Sequence, residues 1–245
     1  MAATSIAQQP AAPATGPDTV QFKAVGANGK SRIEQGVLIT GVLGGKILIK
    51  NAAGEIGYAI ETVESVGKLP PQEWALGSRA LESGDLEKAI PLIRAVAEKF
   101  RGLPTVWAQD ANAALGGLLI TTGKISEAET AIAAFASAYP NAGGAVANVG
   151  KARLAAAKKQ FSEAKELATP VVEGALNKKN VSRAESQLFG QAFFVLGQVA
   201  EGENKQPEAM EAYCRTVALF YQDRATVAAA QQRIDDLRKK GVAVP

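Results

Sequence analysis

The chain contains one cysteine and no histidine among its 245 residues. One cysteine cannot form an internal disulfide, so the fold is not cross-linked. Without histidine, neither a Ser-His-Asp nor a Cys-His catalytic site can form, and no metal can be held by imidazole. Cys214 lies in the apolar segment MEAYCRTVALF, which favours a buried small side chain; the alternative is a reactive thiol.

Aromatic residues make up only 6% of the chain, and no run of 18 apolar residues occurs. The short apolar runs predict no transmembrane segment. Few aromatics beside many alanines and glycines favour close helix–helix contacts over a large cofactor pocket. The net charge is only +3, and residues 1–70 balance their basic and acidic side chains as closely as the remainder does. Because neither part has a basic excess, no nucleic-acid partner is expected.

Sequence motifs for catalysis are also missing. The chain has no phosphate-binding G-x-x-x-x-G-K segment and no metal-ligand spacing. Asp235 and Asp236 are adjacent on a predicted helix, so their carboxylates do not converge on a substrate. We therefore predict that the chain is not an enzyme and has no catalytic residues, no metal and no cofactor.

Residues 1–18 are predicted to form a disordered tail, because residues 8–18 are rich in proline, alanine, glycine and threonine. Ser5 and Ala7 stand two apart, directly before Gln8, as small residues do at the cleavage site of a secretory signal peptide. We expect a periplasmic or secreted protein whose signal peptide was trimmed or whose start was placed late. A cytoplasmic protein with a flexible N-terminus is the alternative.

β-branched residues and frequent turn signals dominate residues 19–68. The predicted strands are TVQFKAVG, SRIEQGVLITGVL, KILIKN, IGYAI and ETVESVGK, with tight turns at Asn28-Gly29 and Gly44-Gly45. Five short strands can bury a core by curling into a barrel. The pattern resembles the small SH3-like and Sm-like barrels, and it predicts an all-β domain over residues 19–68.

A short phrase recurs four times between residues 75 and 210. The copies are ALGSRALESGDLEKAI, ALGGLLITTGKISEAETAI, ARLAAAKKQFSEAKEL and VLGQVAEGENKQPEAM. Each contains a helix, a turn and an alanine that opens a second helix. The alanines, at 89, 128, 164 and 209, are spaced by 39, 36 and 45 residues. An internal repeat of this length predicts a stack of helix pairs, which offers a binding surface.

Capping residues predict where several of these helices begin. The candidates are Asp85, Ser126 with Glu129, Ser162 and Pro207 for the second helices of the repeats, Ser182 with Glu185 for the first helix of the fourth repeat, and Asp223 for the last helix.

Over residues 71–221 the repeats resemble tetratricopeptide (TPR) repeats, whose period is shorter, at about 34 residues. In that family Leu-Gly on the first helix and alanine on the second let the two helices cross closely. The matching pairs are Leu76-Gly77, Leu115-Gly116 and Leu196-Gly197, and the third copy has Lys151-Ala152 instead. The predicted fold class is thus α+β in two domains: the small all-β barrel, then an all-α TPR-like array over residues 71–245 that ends in a capping helix.

The resemblance implies a groove, lined by the first helices, that binds a protein or peptide partner. The residues it places there are Trp74, Ser78, Glu82, Asp110, Ala113, Gly117, Thr121, Arg153, Gln191, Phe194, Gln198 and Glu201. Trp74 and Phe194 are candidate aromatic anchors, with ordinary packing between helices as the alternative. Chaperone-binding TPR domains hold a terminal carboxylate with lysine and asparagine. Those groups are absent at the matching places, so that subtype is not expected.

These observations favour a non-catalytic scaffold or adaptor of the bacterial cell envelope, in which the β domain and the helical array act together. The alternative is self-association, with the chain as a structural subunit of a homo-oligomer or a larger complex.

Overall fold

The computed structural model describes residues 16–24, 31–141, 144–221 and 223–243. The chain divides into two compact units, one of residues 1–70 with 99–108 and one of residues 71–98 with 109–245. The expected signal-peptide remnant at Ser5, Ala7 and Gln8 lies outside the described residues, as does the predicted Asn28-Gly29 turn. The boundaries 1–18, 19–68 and 71–245 remain predictions.

The first unit contains an antiparallel sheet of five strands in the order β4-β3-β2-β1-β5. The strands are β1 (Asp18–Phe22), β2 (Arg32–Leu43), β3 (Lys46–Asn51), β4 (Gly54–Ala59) and β5 (Val63–Gly67). Alternate residues of β1, β2 and β3 point into the core, so Val20, Ile39 and Ile49 are almost fully buried. The turn between β2 and β3 uses Gly44 and Gly45 at positive φ, as predicted.

The predicted barrel does not close. Among the described residues β4 pairs only with β3, and β5 pairs only with β1, so β4 and β5 are the two edges of the sheet. The sheet is nevertheless curled, because the ring of Phe22 on β1 lies 5.0 Å from that of Tyr58 on β4. Most of β4 is exposed. A strand with so little apolar surface to bury gains little from closing the sheet into a barrel.

The segment 99–108 completes the core of the first unit. Phe100, Leu103 and Trp107 are buried, and the rings of Phe100 and Trp107 meet edge to face at 5.1 Å. The indole Nε1 of Trp107 donates to the carbonyl oxygen of Lys68 at 3.0 Å. Buried Asp18 accepts from the Lys68 ammonium at 2.9 Å and from the Ile39 amide at 2.8 Å. A buried carboxylate is tolerated because these donors satisfy it.

The described helices form an array of pairs, followed by one further helix. They are α1 (Gln72–Glu82), α2 (Leu86–Lys99), α3 (Val106–Thr121), α4 (Ile125–Ala138), α5 (Gly144–Ala157), α6 (Phe161–Leu176), α7 (Arg183–Gly202), α8 (Gln206–Leu219) and α9 (Arg224–Lys239). We call α1, α3, α5 and α7 the first helices, and α2, α4, α6 and α8 the second helices.

One turn geometry joins the two helices of every pair. A residue in the left-handed region stands between them, at Gly84, Gly123, Lys159 and Asn204. The amide of the following residue donates back to a carbonyl five residues earlier, as Asp85 does to Ala80 at 2.9 Å. Five residues after each left-handed position comes the repeat alanine, and all four of these alanines are fully buried. The turn and the alanine therefore form one structural unit.

The predicted helix starts are confirmed in part. The carboxylate of Asp85 accepts from the amide of Lys88 at 3.1 Å, and Ser182 with Glu185 forms a complete capping box. Asp223 caps α9, and Pro207 lies in the first turn of α8. The predictions for Ser126 and Ser162 are wrong. They lie inside α4 and α6, because the left-handed turn already starts these helices at Lys124 and Gln160, without a side-chain cap.

The two helices of a pair cross where one of them has almost no side chain. A Cβ on Gly77, Gly116 or Gly197 would lie 2.8 Å, 2.8 Å and 2.4 Å from side-chain atoms of Ile93, Ile132 and Tyr213, respectively. Each partner follows its glycine at the same interval in the sequence. In the third pair Ala152 replaces the glycine, and the residue at the partner position, Ala168, is also small. Both are fully buried in one cluster, so a smaller partner makes room for the extra methyl group.

Candidate functional site

Polar groups from three first helices and from the start of α9 interact in sequence across the helical unit. The polar row, as we call it, consists of Gly117 on α3, Arg153 on α5, Gln191 on α7 and Asp223 at the start of α9. Gly117 creates space for its neighbour, because a Cβ there would lie 2.5 Å from Nη1 of Arg153. Nη2 of Arg153 donates to the carbonyl oxygen of Gly117 at 3.5 Å, a long hydrogen bond. The guanidinium thus lies against the backbone of α3.

The other end of the polar row is held by a network around Asp223. Nε2 of Gln191 donates to Oδ2 of Asp223 at 2.7 Å, and the hydroxyl of Thr226 donates to the same oxygen at 2.8 Å. Oδ1 of Asp223 accepts from the Thr226 amide at 3.2 Å. With its oxygens occupied in this way, Asp223 acts on Arg153 through charge. Burial lowers the pKa of Arg153, and the Asp223 carboxylate opposes that shift.

A second group of predicted residues meets at the far end of α7. The ring of Phe194 lies 5.5 Å from that of Tyr213, a buried residue on α8. The Tyr213 hydroxyl donates to Oε2 of Glu201 at 2.7 Å, and Nε of Arg233 lies 3.6 Å from the same oxygen. Burial, followed by the hydrogen bond to Glu201, raises the pKa of Tyr213 far above its usual range. Phe194 is half-buried and packs against this cluster.

The remaining predicted residues lie separately along the first helices. Trp74 and Gln198 are half-buried, and Glu82 and Asp110 are exposed. Ser78 is half-buried, and its hydroxyl oxygen has no hydrogen-bond partner among the described residues. The Thr121 hydroxyl donates to the carbonyl oxygen of Gly117 at 3.0 Å, within its own helix. Neighbouring atoms desolvate Asp110 and raise its pKa, although the side chain stays exposed.

Three residues that shape this face were not predicted to do so. Tyr213 and Arg233 contact Glu201. Asp223, predicted only as a cap, also accepts a hydrogen bond from Gln191 and opposes the lowering of the pKa of Arg153. The contacts join residues of different helices, so no local pattern shows them. For Arg153, which was predicted for the groove, the sequence does carry a signal. The helix α3 has two adjacent glycines, of which Gly116 serves the helix crossing and Gly117 leaves room for the guanidinium.

A cavity of about 260 Å³ lies on another side of the array, between α6, α7 and α8. Its apolar lining includes Val172, Leu176, Phe193 and Leu196, and its rim carries Lys165 with several glutamates. The α7 residues that line it differ from the four predicted for the groove. The cavity and the polar row are therefore different features of the helical unit.

Within the described residues, no group of three or more cysteine, aspartate or glutamate side chains is placed to hold a metal ion. In the part of the chain that the structure describes, no helix combines the length and the apolar character needed to cross a bilayer.

No protein-family model matches the chain, and no curated protein matches it. The solved structures that are similar to it include MamA from Desulfovibrio magneticus RS-1, residue 41 to the end, and the MamA RS-1 ArsTM double mutant. In both cases the identity is 18% and the TM-score is 0.40. The match covers 69% of this chain and 94% of the MamA chain.

Proposed function

We propose that the chain is a non-catalytic scaffold or adaptor whose helical unit binds a segment of a protein partner along the first helices. The observation that carries this proposal is the polar row, which brings the Gly117 backbone of α3 together with side chains of α5, α7 and the N-cap of α9. A continuous face shared by several repeats is the surface that helical-repeat proteins use for binding. The exposed part of half-buried Phe194 supplies an apolar anchor on the same set of helices.

Photo-crosslinking from defined positions tests this proposal. A photoreactive amino acid at Thr121 or at Gln198, in the source cells, is expected to capture the same partner, identified by mass spectrometry. Lys165, exposed on the second helix α6, is the matched control position and is expected not to capture it. Equal capture from Lys165, or none from either groove position, would contradict the proposal.

The purified partner then provides a quantitative check. Phe194→Ala is expected to weaken its binding at least tenfold, the loss associated with an aromatic anchor. The melting temperature must be measured on the same variant, because Phe194 also packs on Tyr213. If Phe194→Ala unfolds, Phe194 belongs to the core. The binding measurement is then made with Gln198→Ala instead.

Self-assembly is the second candidate function. Leu176, Leu219 and Tyr221 are large apolar side chains that stay 57%, 56% and 67% exposed, and they are the surface that a second copy would cover in this case. Light scattering over a range of concentrations separates the two functions. A strict monomer at high concentration would exclude self-assembly, whereas an oligomer that Leu219→Ser dissociates would support it.

A location in the cell envelope is a separate proposal. It is supported by the spacing of Ser5, Ala7 and Gln8, which lie outside the described residues. Fractionation of the source cells tests it, and recovery of the chain with cytoplasmic markers would contradict it.

A further inference from the structure

The face that contains the polar row carries more acidic than basic side chains. Among the groove residues and Asp223, the acidic members are Glu82, Asp110, Glu201 and Asp223, and Arg153 is basic. Arg233 adds a cation, but it is paired with Glu201. A face with this excess of negative charge attracts a positively charged partner and disfavours an acidic one.

Asp110 and Glu82 are the two carboxylates of this face that lack a compensating partner. Among the described residues neither makes a hydrogen bond or an ion pair. Glu201 and Asp223, in contrast, are held by Tyr213, Gln191 and other donors. Neighbouring atoms also displace water from Asp110 and raise its pKa. A partly desolvated carboxylate without a countercharge is stabilised by a cation that arrives with a ligand.

Arg153 and Gln198 have unused hydrogen-bonding capacity. The guanidinium has five N–H donors, and the one hydrogen bond it makes to a described residue is the long contact to Gly117. The Asp223 carboxylate already supplies a nearby negative charge, and neutral carbonyl oxygens can accept the remaining N–H donors without adding a second one. The Gln198 amide makes no hydrogen bond among the described residues and offers both donors and an acceptor. Together they match the main-chain groups of an extended peptide.

The spacing along α3 sets the size of the ligand. Asp110 and Gly117 are two turns apart on the same helix face, which corresponds to about 10 Å. An extended chain advances about 3.3 Å per residue. Arg153 lies against Gly117. In a bound extended peptide, about three residues therefore separate the residue whose side chain meets Asp110 from the residue whose carbonyl meets Arg153.

We propose that this face binds an extended, basic segment of a protein, with a lysine or arginine side chain at Asp110 and main-chain groups at Arg153 and Gln198. The inference rests on the proposed function and names the chemistry of its partner.

Fluorescence polarisation of the full chain with three labelled peptides tests the inference. Each peptide has nine residues of alternating threonine and alanine, with lysine, glutamine or glutamate at the centre. The lysine peptide is expected to bind at least tenfold more tightly than the other two, and added salt is expected to weaken it most. Arg153→Gln is expected to weaken the binding of the lysine and glutamine peptides by a similar factor, because it removes main-chain contacts.

Two variants with the same change in net charge provide the decisive comparison. Asp110→Asn is expected to abolish the preference for lysine, whereas Glu166→Gln, on the exposed face of α6, is expected to retain it. A preference for glutamate, equal binding of all three peptides, no binding at all, or a lysine preference that survives Asp110→Asn would each overturn the inference. If crosslinking from Thr121 and Gln198 nevertheless captures one partner, the proposed function stands and only its basic chemistry fails.

Discussion

Tyr213 shows how a single residue can stabilise several helices through contacts with residues far away in sequence. Its ring fills the space that Gly197 leaves on α7, and a Cβ at Gly197 would lie 2.4 Å from that ring. Its hydroxyl holds Glu201, which has Arg233 on its other side. One side chain thus links α7, α8 and α9 through both packing and a hydrogen bond.

Removing the Tyr213 hydroxyl separates these two roles. Tyr213→Phe is expected to lower the free energy of unfolding by about 1–2 kcal/mol, because half-buried Glu201 loses its closest donor while the ring stays in place. Urea denaturation measures the change. Tyr221→Phe is the matched control, since Tyr221 is 67% exposed, and it is expected to leave the stability unchanged. An equal loss in both variants would contradict the role of the hydrogen bond.

The residues that recur in each repeat could be predicted from the sequence. Pairs in which one residue makes room for another on a different helix, or offsets its charge, could not. Leu-Gly and the buried alanines were visible because they recur at similar intervals. Ala152, standing where the other copies have glycine, made the third copy look degenerate. Its compensation at Ala168 lies on the next helix and is visible only once the helices cross. Arg153 stays a predicted groove residue, and its contact with Gly117 and its electrostatic interaction with Asp223 depend on neighbouring helices.

At the scale of the element, helix starts are set by turns as much as by caps. Ser126 and Ser162 have the composition of caps, yet α4 and α6 begin before them, after Gly123 and Lys159 in the left-handed region. Composition alone does not reveal Lys159, because lysine seldom adopts this conformation.

The prediction of a closed barrel was wrong because the local pattern does not show how strands pair at the edges of a sheet. Alternation predicted the strands, but the pairing of edges depends on how much of β4 is buried.

The capping box of α7 predicts a dependence of stability on pH. The hydrogen bond from Lys178, followed by those from Ser182, lowers the pKa of Glu185 to about 2 from an ordinary value of 4.5. Because the folded pKa is depressed, the stabilisation is complete above about pH 4.5 and is lost as the pH falls towards 2.

Melting temperatures of the wild type and of Glu185→Gln check this dependence. The wild type is expected to melt higher at pH 7, and the difference is expected to shrink between pH 4.5 and pH 2. Glu166→Gln serves as the control for a general loss of one carboxylate from an exposed helix. A difference between wild type and Glu185→Gln that stays constant down to pH 2 would show that Glu185 does not titrate with the cap.

At the scale of the whole molecule, the two compact units do not coincide with two continuous stretches of chain. Residues 99–108 belong to the unit that contains the sheet, although they include the last residue of α2 and the first turn of α3. Their buried side chains, and the bond from Trp107 to Lys68, place them in the core of that unit. A division at residue 70, as the change in composition suggests, would separate this segment from the strands it packs on.

A fragment of residues 71–245 tests this consequence. It is expected to melt at a lower temperature than the full chain and to shift the fluorescence of Trp107 to the red, because Phe100, Leu103 and Trp107 lose their cover. The measurement is made with Trp74→Phe, so that one tryptophan reports. A fragment of residues 16–245 is the control and is expected to match the full chain. Unchanged melting and fluorescence of the 71–245 fragment would contradict the assignment.

The shared turn also has a consequence for how such a chain can change its length. Because Lys159 and Asn204 occupy the same place in the same turn, joining Lys159 directly to Lys205 would remove α6 and α7 and leave an intact turn between α5 and α8. A single in-frame deletion or duplication between two such points therefore removes or adds one whole helix pair. The uneven intervals of 39, 36 and 45 residues do not obstruct this exchange, since the extra length lies outside the turns.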